Sequence, residues 1–136
     1  MAICKRGRFD YVASEKSGNA RKGIAFFKED MMIDLSSFIQ YHARVTPDRE
    51  AVLFGQDAVT YEELWSRTRS LAGWLAARGV GRKSVVGILM KNSPAFIEFS
   101  FALSYLGAVM LPINYRRARP EIEHILRDAG AKLVVS

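Results

Sequence analysis

The chain has one cysteine, Cys4, in 136 residues, so no internal disulfide can form. That suits a reducing compartment, and a cytoplasmic setting is expected. It has no apolar run approaching the roughly 18 residues of a membrane span. The most apolar window, 94–112, is interrupted by Glu98, Ser100, Ser104 and Gly107. Basic residues from Lys5 to Arg8 follow the first four, leaving no apolar segment for a secretory signal. Only two histidines, His42 and His124, are available, and neither has a nucleophile nearby in the pattern, so no Ser/His/Asp or Cys/His arrangement is credible. The aromatics sit in apolar helical stretches, not between lysines and arginines, which argues against nucleic-acid binding.

What is there reads as a folded domain. Hydrophobic residues make up 49% and charged residues 25%, a globular balance for one domain. The net charge of +6 is uneven. Residues 1–30 hold seven Lys/Arg against four acids, and the other 106 hold thirteen against ten. These thirty residues lack a sustained period and read as a basic leader, disordered or extended. Such a leader can touch an anionic membrane surface peripherally. Patterned sequence runs from 31 to 136.

Asp34 caps a short helix whose expected packing side is Leu35, Phe38, Ile39 and Tyr41 or His42. Pro47 ends it, because the residue before a proline leaves the helical region. Residues 51–54 and 58–60 form a hairpin around Gly55-Gln56-Asp57. Thr60-Tyr-Glu-Glu63 is a capping box opening a helix with Tyr61, Leu64, Thr68, Leu71, Ala72 and Leu75 on one face. Trp65 is read with Tyr61 as packing, and Trp74 falls off that face. Gly79 ends the helix. From 84 onward the order is strand 84–90, helix 94–106, strand 108–112, helix 119–129, strand 132–136. Apolar strands alternating with helices imply an α/β fold: a parallel βαβαβ sheet with helices on both faces. The final strand is expected to leave an open sheet edge, a place for pairing with a second copy or a complementary chain.

Three motifs invite chemistry. Gly79-Val-Gly-Arg-Lys-Ser84 has the composition of a phosphate loop but lies between a helix and a strand, the reverse of the order that aims helical N–H groups at phosphate, so it reads as a turn. Glu121-x-x-His124 has the spacing of half a di-metal carboxylate site, but no second copy exists. Arg116, Arg117 and Arg119 follow the carboxyl end of a strand, where ligands bind in open α/β sheets, yet no glycine-rich anion nest accompanies them.

Six pieces in order carry a resemblance: Thr46-Pro-Asp-Arg-Glu-Ala-Val52; Val59-Thr-Tyr-Glu-Glu-Leu64; Leu71-Ala-x-x-Leu75 with Gly79-Val80; Val85-Val-Gly-Ile-Leu-Met-Lys-Asn-Ser-Pro94; Leu106-Gly-Ala-Val-Met-Leu-Pro-Ile-Asn114; and Pro120-Glu-Ile-Glu-His-Ile-Leu126 with Ala131-Lys-Leu-Val-Val135. Over residues 34–136 the chain resembles the start of an adenylate-forming enzyme, the acyl-CoA synthetase, adenylation-domain and luciferase superfamily. The resemblance implies a truncated N-terminal portion of an AMP-binding ligase domain. For the intact enzyme it implies ATP, Mg²⁺ and coenzyme A, with a fatty acid or other carboxylate as substrate. The motifs that carry that chemistry have no matching position here. No catalytic, cofactor-binding or metal residue is therefore assigned, and the chain alone is expected to be inactive. The alternative is a non-catalytic interaction or regulatory fragment, or a pseudogene product, pairing through its open edge. Arg117 departs from the family pattern, which usually has an apolar residue there.

Overall fold

The computed structural model describes residues 2–4 and 34–136. Strand β1 (Ala2–Cys4) comes first, then helix α1 (Leu35–Val45) and a hairpin of β2 (Glu50–Phe54) and β3 (Asp57–Thr60). Helix α2 (Tyr61–Ala76) leads to β4 (Val85–Ile88), α3 (Pro94–Tyr105), β5 (Val109–Pro112), α4 (Arg119–Asp128) and β6 (Leu133–Val135). The main sheet has the order β1-β6-β4-β5, with every pairing parallel.

Alternation along β4 sets the two layers, because successive side chains on a strand face opposite ways. Val86 and Ile88, both 0% exposed, point to one face, where Leu133 and Val135 of β6 meet Leu71 and Leu75 of α2 and Phe99 and Leu103 of α3. Gly87 points to the other, where Val134 and Ile113 meet Leu126 of α4. A Cβ built on Gly87 would lie 2.6 Å from Leu126 Cδ2, so the missing side chain is what lets α4 sit close over the central strand.

Helix α3 is apolar nearly all round because it is covered on several sides. Phe99, Ala102 and Leu103 are buried in the sheet-side core, while Ile97 and Phe101 join a second cluster around Ile39, Val59 and Leu64. Arg67 and Glu98 bridge α2 to α3 at 3.4 Å.

The local signals act where the sequence puts them. Thr60 Oγ1 accepts the Glu63 N–H at 3.3 Å, and Glu63 Oε2 accepts the Thr60 N–H at 3.1 Å. Ser93 caps α3 by accepting the Phe96 N–H, ahead of Pro94 in the first turn. Helices α2, α3 and α4 close in the same way. Gly79, Gly107 and Gly130 take φ of 78°, 63° and 62°, and the N–H of the next residue returns to the carbonyls of Leu75, Leu103 and Leu126.

Several expectations need correction. The packing face of α1 is Ser36 and Ile39, whereas Leu35, Phe38 and Tyr41 are exposed and His42 is half-buried. Ser36 is buried because its hydroxyl donates to Asp34 Oδ1 at 2.6 Å, within the cap that also takes the Ser37 N–H at 3.0 Å. The hairpin turn is two residues, not three: Gly55 takes φ 64° at its first position, and Asp57 already pairs with Phe54. The β6 edge is not open, since Ala2–Cys4 pairs along it from Ala2↔Leu133 to Cys4↔Val135. Apart from these three residues, the leader expectation lies outside the described residues.

Thr68 is 0% exposed, and its Oγ1 has no hydrogen-bond partner. An orphaned buried hydroxyl costs about 1–3 kcal/mol. Thr68→Val is expected to raise unfolding free energy by about 1 kcal/mol in urea. Gly87→Val is expected to cost about 1–3 kcal/mol by overpacking against Leu126. Leu126→Ala in the same chain should recover part of that loss, which a double-mutant cycle reads as coupling. Strict additivity would mean that the two residues do not touch.

Candidate functional site

Because β4 and β5 are parallel, their carboxyl ends come out side by side. The Ile113 N–H donates to the Ile88 carbonyl at 2.9 Å, and the Leu89 N–H to the Val135 carbonyl at 2.8 Å, so both exits stay tied to the sheet. Beyond Ile88 the chain runs to the Ser93 cap of α3. Beyond Pro112 it turns at Asn114, whose side chain accepts the Arg116 N–H at 3.0 Å and whose carbonyl accepts the Arg117 N–H at 3.1 Å.

Between these two exits lies an open cleft of about 500 Å³. Met90, Phe96 and Pro112 give it apolar walls, and Lys91, Asn92, Asn114 and Tyr115 give it a polar rim. The Lys91 ammonium lies 5.4 Å and the Arg116 guanidinium 5.6 Å from the Tyr115 ring centre, and Arg116 Nε donates to the Tyr115 hydroxyl at 3.2 Å. The lining offers amides, a phenol and an ammonium, with no carboxylate and no nucleophile–base pair. It can hold and orient a ligand, and the groups in its lining that carry an acidic proton are the Tyr115 phenol and the Lys91 ammonium. Its place at the carboxyl ends of parallel strands is where open α/β sheets bind ligands.

The motifs picked out in the sequence fall elsewhere or are already engaged. Arg117, just ahead of α4, pairs with Glu121 at 3.6 Å, and Arg119 pairs with Glu123 at 2.8 Å, each with an acid of α4 four residues on. Only Arg116 reaches the cleft's rim. His124 is exposed, and no group of three or more metal-binding side chains occurs among the described residues. Residues 79–84 form the expected turn, with Ser84 Oγ accepting the Gly81 N–H at 3.2 Å. Trp65 packs edge-on against Tyr105 at 5.7 Å, Tyr61 stacks on His42 at 4.8 Å, and Arg78 covers the Trp74 ring at 3.5 Å. Lys91, Asn92, Asn114 and Tyr115 were not singled out as site residues. Each follows a strand end, and Lys91, Asn92 and Asn114 belong to two of the six pieces that carry the family resemblance.

The fold coincides with that of a known family. The model of the AMP-binding enzymes matches residues 39–136. The chain belongs to that family. Feruloyl-CoA synthase of Amycolatopsis sp is 41% identical over 101 residues, which is 74% of this chain and 21% of that protein. Fatty acid--[acyl-carrier-protein] ligase ScoC of Streptomyces coeruleorubidus is 35% identical over 94 residues, 69% of this chain and 18% of that one. Among solved structures, the N-terminal subdomain of Klebsiella oxytoca NpsA in complex with anthranilyl-AMSN superposes with a TM-score of 0.71 at 31% identity, covering 76% of this chain and 27% of that one. The chain thus spans about a fifth of the length of these curated relatives. No helix of the described residues is long and apolar enough to cross a membrane.

Since exposed i,i+4 ion pairs contribute about 0.2–0.5 kcal/mol each, the double change Arg117→Gln and Arg119→Gln is expected to lower stability by less than about 1 kcal/mol. A larger loss in thermal unfolding would mean that these arginines support more than their own helix.

Proposed function

We propose that these residues are the N-terminal part of an ATP-dependent ligase that activates a carboxylate. The observation that carries the reading is the family match over 39–136, on a chain about a fifth as long as its relatives. In the reaction a carboxylate oxygen attacks the α-phosphorus of ATP, pyrophosphate leaves, and an acyl-adenylate forms. The coenzyme A thiol then attacks the acyl carbon and AMP leaves, giving a thioester. Fatty acids of medium or long chain are the first substrates to try. Aromatic acids come second, because the relatives' names include both kinds.

In this reading the described residues serve as scaffold. The sheet and its two helix layers hold the carboxyl-end cleft, and the AMP-forming groups are supplied by sequence beyond the matched segment. Among the described residues the cleft brings the cations Lys91 and Arg116 to its rim, but its lining has no carboxylate to hold Mg²⁺. ATP, Mg²⁺ and coenzyme A therefore belong to the longer enzyme.

Pyrophosphate release tests the proposal. The 136-residue chain with ATP, Mg²⁺ and a panel of carboxylates is expected to stay at the acid-free blank. A longer polypeptide that contains these residues and continues in frame to a Pro-Lys-Gly phosphate loop is expected to release pyrophosphate only when a carboxylate is added. Turnover by the 136-residue chain, or none by the longer one with any acid, overturns the reading. The alternative of a fragment that pairs through an open β6 edge is less favoured, because Ala2–Cys4 occupies that edge.

A further inference from the structure

The two sides of the main sheet are protected in different ways. β5 forms one edge and carries its own safeguard. The Val109 and Ile113 N–H groups donate inward to the Ser84 and Ile88 carbonyls, so alternation along the strand turns the Pro112 nitrogen outward. A proline there offers no donor to an incoming strand.

β6 has no such device. Leu133, Val134 and Val135 are 5%, 4% and 2% exposed, and the strand holds neither a charge nor a proline. Leu133 and Val135 belong to the core under α2 and α3, Val134 belongs to the one under α4, and β4 takes one edge. Without β1, the other edge would present unpaired backbone N–H and C=O groups on an apolar strand, a template for pairing with another chain. Ala2–Cys4 covers that row, in parallel register from Ala2↔Leu133 to Cys4↔Val135. These residues lie outside the family match, which begins at residue 39. The edge is thereby moved to a strand of three residues, followed in sequence by Lys5, Arg6 and Arg8. Short edge strands and basic residues are the means by which natural sheets blunt an edge.

The connection decides which strand wins. Because β1 and β6 belong to one polypeptide, β1 acts at an effective concentration of up to about millimolar. A second copy brings its own helix layers with its β6, so its contact is wider than three residue pairs, but at micromolar protein it competes against the tethered strand. We propose that Ala2–Cys4 is a guard strand, and that the partner it excludes is a second copy of this chain pairing β6 to β6. Two such edges related by a twofold axis run antiparallel and are self-complementary.

Two measurements test the guard. In the unmodified chain, cross-strand NOEs are expected between the backbones of Ile3 and Val134. In an equimolar mixture of isotope-labelled and unlabelled chains, filtering for intermolecular contacts is expected to remove them. Their absence from the first sample, or their persistence in the second, overturns cis pairing. The double change Ala2→Pro and Ile3→Pro then removes the guard. Successive N–H groups of a strand point to opposite edges, so one of the two prolines deletes a donor aimed at β6. At the concentration of the NMR samples, the variant's mass by sedimentation equilibrium is expected to rise from 15.3 kDa toward twice that, with new intermolecular NOEs between β6 strands. The parent chain is expected to stay monomeric. A monomeric variant that still unfolds cooperatively in urea, or a dimer without contacts between β6 strands, overturns the proposal. So does loss of the fold, which would make Ala2–Cys4 part of the core and not a removable guard. No readout involves catalysis, so the guard stands or falls apart from the ligase reading.

Discussion

Everything else in this fold depends on the burial of β4 on both faces. Three consecutive residues divide the work. Val86 and Ile88 close the layer that α2 and α3 cover, and Gly87 leaves room for Leu126 of α4 on the other side. β4 also carries hydrogen-bonded neighbours on both edges, β6 and β5. A strand held on four sides fixes the register of those around it, because a slip of one residue would swap its apolar side chains for the glycine. The cleft inherits its geometry from the same constraint, since its two walls leave the sheet from β4 and from β5.

Much of this was legible in the sequence, and the legible parts are local. A capping box needs only Thr60 and Glu63, and a helix closed by Gly79 needs only the left-handed residue after the last turn. β4 and β6 were readable because strands covered on both faces are apolar without alternation. The parallel order then follows from strand, helix and strand in succession.

Apart from the hairpin turn and the Ser36 cap, the misreadings arise where a contact is not local. Periodicity in α1 finds the apolar side correctly, but it cannot say which side the described residues cover. Ser36 goes inward because Asp34 satisfies its hydroxyl, a matter of geometry that composition hides. The β1–β6 pairing joins residues about 130 apart, with no turn signal between them. The cleft is assembled from two segments that carry no shared motif. Lys91 and Tyr115 meet only because parallel strands end side by side.

The described residues belong to the AMP-binding family, and their parallel sheet carries the cleft at its carboxyl end. The central claim is that β4 is the keystone of that sheet, and native-state hydrogen exchange tests it most directly. The Val86, Gly87 and Ile88 amides are expected to exchange only through global unfolding, with the full urea dependence of the whole chain, while α1 and the hairpin open at lower free energy. Exchange at β4 through small local openings, with α1 outlasting it, would contradict the account.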